Sequence, residues 1–215
     1  MDNNKCYEAW SQLEDDLVIR RYALDHNIPI DDEVDEILAL TPSFDNKKIL
    51  ELGAGVGRFT RCFCKTASSI TALDFSDKFI KENKIRCVAN TKINYICTDV
   101  LDWRFPQNEY DLVFVSWLLM YIDDINLPRL LESIRASLNE GGEVFIRESC
   151  NHSVIVNDSK SKKEQSIIDV TNYRSKEHYS SLFTQAGLSL KKSGNIQFHK
   201  KWFDNNNQNF WILCK

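Results

Sequence analysis

Three carboxylates, Glu51, Asp74 and Asp99, each sit at the end of a short apolar run, and a glycine-rich loop separates the first two. The loop lies within K-I-L-E-L-G-A-G-V-G-R at 48–58, where Ile49, Leu50 and Leu52 lead into Gly53, Gly55 and Gly57. Glycine supplies the positive φ of a sharp strand-to-helix turn, and without a Cβ the backbone can press against a ligand. After the loop, Ile70-Thr71-Ala72-Leu73 ends on Asp74, placed to take both hydroxyls of a ribose. Ile93-Asn94-Tyr95-Ile96-Cys97 leads to Thr98-Asp99-Val100, where an acid suits an adenine amino group. The pattern predicts a flat, nucleotide-like ligand at the carboxyl ends of strands in an open α/β sheet.

Dinucleotide and triphosphate chemistry fit less well. The loop is G-A-G-V-G-R, without the G-x-G-x-x-G spacing that grips a pyrophosphate, and no Gly-Lys-Ser/Thr closes a P-loop. The order acid, glycine loop, acid, acid resembles the class I S-adenosylmethionine (SAM)-dependent methyltransferases. That resemblance implies a SAM site lined by Glu51, Gly53, Ala54, Gly55, Gly57, Arg58, Asp74, Phe75, Asp99, Val100 and Ser116, with S-adenosyl-L-homocysteine as product.

The elements that must position these residues alternate. Helices are expected at 59–66 and at 76–86, the second with Ser76 as N-cap. A nearly continuous apolar strand at 111–117 suits a sheet covered on both faces. A helix at 126–138 carries Leu127, Leu130, Leu131, Ile134 and Leu138 on one face, and Gly141-Gly142 turns into a strand at 143–147. The polar stretch 148–173 is longer than an ordinary connection. A helix at 175–186 ends at Gly187, and strands at 188–198 and 210–214 close the chain. Ahead of the loop, Trp10, Leu13 and Leu17, then Val34, Ile37, Leu38 and Leu40, read as two amphipathic helices, either plain packing or a lid. The expected fold is a seven-stranded, mostly parallel sheet with helices on both faces and an antiparallel last strand. The expected organisation is one domain over 1–215: a helical lid at 1–45, a SAM-binding half at 46–150 and a substrate-side half at 151–215.

The substrate side narrows the resemblance. W-L-L-M-Y-I at 117–122, R-E-S-C at 147–150 followed by His152, D-S-K at 158–160, N-Y-R at 172–174 and N-Q-N-F-W at 207–211 resemble the first methyltransferase domain of plant-type phosphoethanolamine N-methyltransferases. The resemblance runs from residue 7 to the C-terminus and implies N-methylation of phosphoethanolamine or a related phosphobase. It implies Tyr7 and Tyr121 as positioning and proton-relay groups, with His152 in reserve. Trp117, Ser149, Tyr173, Arg174 and Tyr179 are implied substrate contacts, Arg174 and the tyrosines facing the phosphate and Lys160, Lys162 and Lys163 adding charge. As plain structure, Tyr7 staples a helix, His152 and the lysines are solvated, and Trp117 closes a strand. Two departures stand out: the plant-type enzymes carry a second domain, and the segment between Ser153 and Asn172 is longer here.

Composition limits the partners. The formal charge of -4 gives no general pull toward nucleic acid. No run reaches the roughly 18 apolar residues of a membrane helix, and M-D-N-N-K-C-Y-E is too polar for a signal peptide, so a cytosolic protein is expected. Seven cysteines with no C-x-x-C pair predict reduced thiols and no structural zinc, and nothing suggests a catalytic metal. Cys150 alone lies near the expected site. A second methyltransferase that completes the methylation series is a conceivable partner. A protein α-N-terminal methyltransferase is the main rival, since that family also has a G-A-G-I-G-R loop and a tryptophan after the fourth strand. It has a histidine at the Tyr121 position and needs an acidic channel, whereas this chain offers Arg174 and lysines. A non-catalytic partner subunit of the same fold is the third reading, opposed by the intact acids at 51, 74 and 99.

Overall fold

Strand β1 (Lys48–Leu52) is short and almost wholly buried, and two parallel neighbours flank it, β2 (Ser69–Asp74) and β4 (Tyr110–Ser116). The computed structural model describes residues 29–87, 91–151 and 170–215. In it β3 (Ile93–Cys97), β5 (Leu138–Ser149), β6 (Ser189–Asn195) and β7 (Gln208–Cys214) complete one sheet of order β3-β2-β1-β4-β5-β7-β6. Only β7 runs against its neighbours, pairing antiparallel with both β5 and β6. This is the expected seven-stranded, mostly parallel sheet.

Because side chains alternate along a strand, each strand feeds two layers. Leu50, Leu52, Val113, Val115, Val144, Ile146 and Trp211 face helices α4 (Leu127–Ser137) and α5 (Lys176–Gln185). Ile49, Leu112, Phe114, Phe145, Phe210 and Ile212 face the other layer, built by α1 (Ile30–Leu40), α2 (Thr60–Phe63) and α6 (Gln197–Phe203). Helix α3 (Asp77–Arg86) starts at Ser76, whose hydroxyl accepts from the Phe79 amide at 3.3 Å as expected of the N-cap.

Some boundaries differ from expectation. The strand expected at 188–198 stops at Asn195, and Gln197–Phe203 is helical instead. The reason lies far away in sequence: the Glu36 carboxylate on α1 accepts from the Gln197 and Phe198 amides at 2.6 and 2.7 Å, satisfying the donors of a new helix. Helix α2 is only four residues long, and β5 begins at Leu138, before the expected glycine turn. The expected helix with Trp10, Leu13 and Leu17 lies outside the described residues, whereas Val34 and Ile37 of α1 are core residues. Among the described residues no helix is long and apolar enough to cross a membrane.

Candidate active site

The tips of β1, β2 and β3 bring together the three acids. Glu51 points to the layer of α2 and accepts from the Thr60 hydroxyl at 2.6 Å. Asp74 Oδ2 accepts from the Gly55 amide and Oδ1 from the Ser76 amide, both at 2.9 Å, while the Ala54 amide donates to the Leu73 carbonyl. The glycine loop is thus laced to the end of β2. Burial pushes the Glu51 carboxyl up to about 8, with the nearby Asp74 charge adding to the rise and the Thr60 hydroxyl opposing it. Burial likewise raises Asp74 to about 6 against its two amide donors. Asp99 Oδ1 accepts from the Leu101 amide at 2.9 Å, Val100 beside it is buried, and Phe75 is half-buried.

The loop has open and closed sides. A Cβ on Gly57 would stand 2.4 Å from Asn83 Oδ1, and Asn83 Nδ2 donates to the Gly55 carbonyl and the Thr60 hydroxyl. A Cβ on Gly55 would meet nothing within 4 Å, at a φ of 52°. So the Gly57 side is sealed by α3, and the Gly55 side is open. A carboxylate offers about four acceptor positions, and two amides use half of those on Asp74, so a pair of ribose hydroxyls can be received. The free acceptor positions of Asp74 and the Asp99 carboxylate beside an open backbone suit an adenosyl cofactor of the SAM type, which these two acids would hold, while Glu51 is buried against Thr60.

Next to this edge stands a buried ionic group that the sequence reading missed. Glu33 of α1 accepts from Arg58 Nη2 at 2.7 Å and from Arg147 Nη2, and lies 2.6 Å from His199 Nε2. Burial opposes ionisation of Glu33, but the Arg147 charge, the His199 hydrogen bond and Arg58 outweigh it and hold the carboxyl well below its usual range. Burial lowers His199, so a neutral ring is present at neutral pH. Both charged anchors leave a trace in the sequence: Glu33 shares a helical stripe with Ile37, and Arg147 directly follows the apolar run Val144-Phe145-Ile146.

Arg147 also covers Trp117. Its guanidinium carbon is 3.6 Å from the Trp117 ring centroid, so a guanidinium takes one face of a ring implied as a substrate contact. The indole Nε1 donates to Gln208 Oε1 at 2.8 Å, and Gln208 Nε2 donates to the Ser149 hydroxyl at 2.6 Å. Trp117 carries a φ of 56°, so the chain turns sharply out of β4. Arg147 Nη1 donates to the hydroxyl of Ser116, the last residue of β4, at 3.4 Å.

Beyond Trp117 the chain makes a single 3₁₀ turn, Leu119–Tyr121, and Tyr121 is half-buried within it. Arg174, implied as a phosphate contact, lies against the Tyr121 turn and faces inward. Its guanidinium is buried and committed: Nε to Asp124 Oδ1 at 2.7 Å, Nη1 to the Leu119 carbonyl at 2.9 Å and Nη2 to the Ile122 carbonyl at 2.5 Å. Tyr179 likewise departs from a phosphate-facing position, because its ring is fully enclosed against Phe183 and Trp211. Tyr173 is half-buried, and burial raises its hydroxyl above the usual phenol range. Cys150 is buried and its thiol is pushed up to about 12 by burial and the Glu148 charge, which leaves it a packing residue. Tyr7, His152, Lys160, Lys162 and Lys163 lie outside the described residues.

Residues 49–142 match the family described as "Methyltransferase domain". The chain has the class I methyltransferase fold. It is 37% identical over 190 residues to phosphoethanolamine N-methyltransferase of Triticum aestivum, covering 86% of this chain and 36% of that protein. It is 34% identical over 223 residues to phosphoethanolamine N-methyltransferase 1 of Arabidopsis thaliana, covering 96% of this chain and 43% of the relative. Among solved structures, Haemonchus contortus phosphoethanolamine N-methyltransferase 1, in complex with phosphoethanolamine and S-adenosylhomocysteine, superposes with a TM-score of 0.74 at 25% identity, covering 84% of this chain and 41% of that one. The chain therefore spans less than half the length of these relatives.

Proposed function

We propose that this domain transfers a methyl group from SAM to the nitrogen of a small amine, phosphoethanolamine or a methylated derivative. The observation that carries the reading is the abutment of the acid-ringed glycine loop on the Tyr121 turn: a Cβ on Gly53 would touch Leu118 Cβ at 3.4 Å. The similarity to phosphoethanolamine N-methyltransferases supports the choice of amine.

An alkylammonium titrates near 10.4, so only on the order of one molecule in a thousand is a free amine at neutral pH. The site must favour that neutral form. Desolvation between Tyr121 and the Trp117 wall does so, and the Tyr121 hydroxyl, with Tyr7 as a further candidate, accepts an N–H hydrogen bond from the ammonium and relays its proton to His152 or to water. SAM supplies the electrophilic methyl group when bound, and the chain contributes alignment of amine and sulfonium for an in-line displacement. With Arg174 engaged internally, the phosphate falls to the Tyr173 hydroxyl and to Lys160, Lys162 and Lys163. A second methyltransferase, on another chain or another domain, completes the methylation series. The setting is cytosolic.

The test is incubation with labelled SAM and a panel of amines and peptides. Label in phosphoethanolamine, and not in ethanolamine, is expected. Transfer to ethanolamine alone removes the phosphate from the reading, and transfer to peptide N-termini alone replaces it with protein N-methylation.

A further inference from the structure

The carboxylate of Glu148 and the guanidinium of Arg174 grip the same short turn from opposite ends. Residue 148 follows Arg147 on β5, so strand alternation sends it to the opposite layer, where it is fully buried. There Glu148 Oε1 accepts from the Leu118 and Leu119 amides at 2.9 and 2.7 Å. Those two donors precede any partner within the turn itself, so a buried acceptor must come from elsewhere. At the other end Arg174 donates to the Leu119 and Ile122 carbonyls, and the Asn172 amide donates to the Met120 carbonyl at 2.7 Å. The Trp117 amide is held by the Arg147 carbonyl at 2.9 Å. From Trp117 to Ile122 the backbone is thus bonded to two segments remote in sequence, 147–148 and 172–174, and Tyr121 is the half-buried tyrosine the turn presents.

We infer that Glu148 and Arg174 are positioning residues that fix the backbone of the Tyr121 turn, and that Arg174 is not a ligand of the substrate phosphate. The inference rests on the methyl-transfer reading for its kinetic consequence, but the clamp itself is a statement about backbone order. A turn whose Leu118 and Leu119 amides and Leu119 and Ile122 carbonyls are held by two buried side chains keeps the tyrosine oxygen in one place, and misplacement on the order of 1 Å lowers turnover by up to about a hundredfold. Asp124, with 66% of its side chain exposed, anchors the outer edge of Arg174 and takes no part in the site.

The experiment uses the full chain with Glu148→Ala, Glu148→Gln, Arg174→Lys and Asp124→Ala. Steady-state kinetics with phosphoethanolamine should show kcat lower by about tenfold or more in Glu148→Ala and Arg174→Lys, with KM and calorimetric SAM affinity within about twofold of wild type. Glu148→Gln, whose amide carbonyl can still accept, should recover most of the loss. Asp124→Ala, a surface change expected to fold, should lower kcat by about two- to threefold. A rise in KM for phosphoethanolamine with kcat intact in Arg174→Lys would make this residue a phosphate ligand and overturn the inference, as would unchanged kcat in Asp124→Ala and Glu148→Ala. Amide exchange at Leu118 and Leu119, measured without substrate, separates the clamp from the choice of substrate: faster exchange in Glu148→Ala supports it even if wild type methylates no amine, and unaltered exchange refutes it.

Discussion

Glu33 on α1 and Arg58 at the end of the glycine loop meet through a 2.7 Å hydrogen bond, so the cofactor loop is tied to a helix that precedes it in the chain. The same carboxylate neutralises Arg147, which is fully buried beneath Trp117. Glu33→Gln should therefore act twice. Leaving Arg147 buried without its counter-charge is expected to destabilise the fold by ~3–5 kcal/mol, read by urea unfolding. Release of Arg58 should weaken SAM binding by about tenfold, which calorimetry at a permissive temperature would show. Because ionisation of Glu33 is favoured by folding, its contribution is present above the ordinary glutamate range and is lost only in strong acid.

Glu51 behaves in the opposite sense. Folding raises its carboxyl to about 8 and that of Glu148 to about 7, so the folded state holds protons that the unfolded chain gives up near 4.5. Stability from these groups is full below the unfolded value and falls as pH rises through the folded ones. The melting temperature of the cofactor-free protein should decline between about pH 5 and about pH 8.5, and Glu51→Gln should flatten the decline. A melting temperature that rises steadily over this range would contradict the assignment.

Asp74, raised to about 6, should make cofactor binding depend on pH. An ionised carboxylate accepts ribose hydroxyls better than a neutral acid, so SAM affinity is expected to rise between about pH 5 and about pH 7. Asp74→Asn should remove the dependence, and Asp74→Ala should abolish binding in calorimetry.

Gly55 and Gly57 invite a paired test, since both have positive φ but only one is crowded. Gly57→Ala drives a methyl into Asn83 and should lower stability by ~1–3 kcal/mol in addition to its backbone strain. Gly55→Ala meets no protein atom, so its larger effect should be on SAM affinity, where the added carbon occupies the open side of the loop. Thermal melting without cofactor and calorimetry with it separate the two.

The sheet and the cofactor edge were legible because their signals are local. Strands β1 to β4 each show as a short apolar run, and Ser76 announces α3 as an N-cap. Helix α6 was not legible, because its first amides are satisfied by Glu36, 161 and 162 positions earlier. Arg174 illustrates a different limit. A cation beside an expected anion site suggests a ligand, yet only the fold reveals that three backbone and side-chain acceptors already claim its guanidinium. The Glu33 cluster was within reach, since a glutamate on an apolar helix stripe and an arginine inside a core strand both call for a buried partner.

Consecutive positions 147 and 148 send opposite charges to opposite sides of one strand, the first toward Glu33 and the second toward the Tyr121 turn. Deleting or inserting a single residue between Val144 and Ile146 would exchange the two destinations, stranding a carboxylate beside a carboxylate and a guanidinium among amide donors. Length changes in this lineage should accordingly collect at the exposed start of β5 around Glu140 and Gly141, where the ladder with β4 already breaks step between Tyr110 and Leu112.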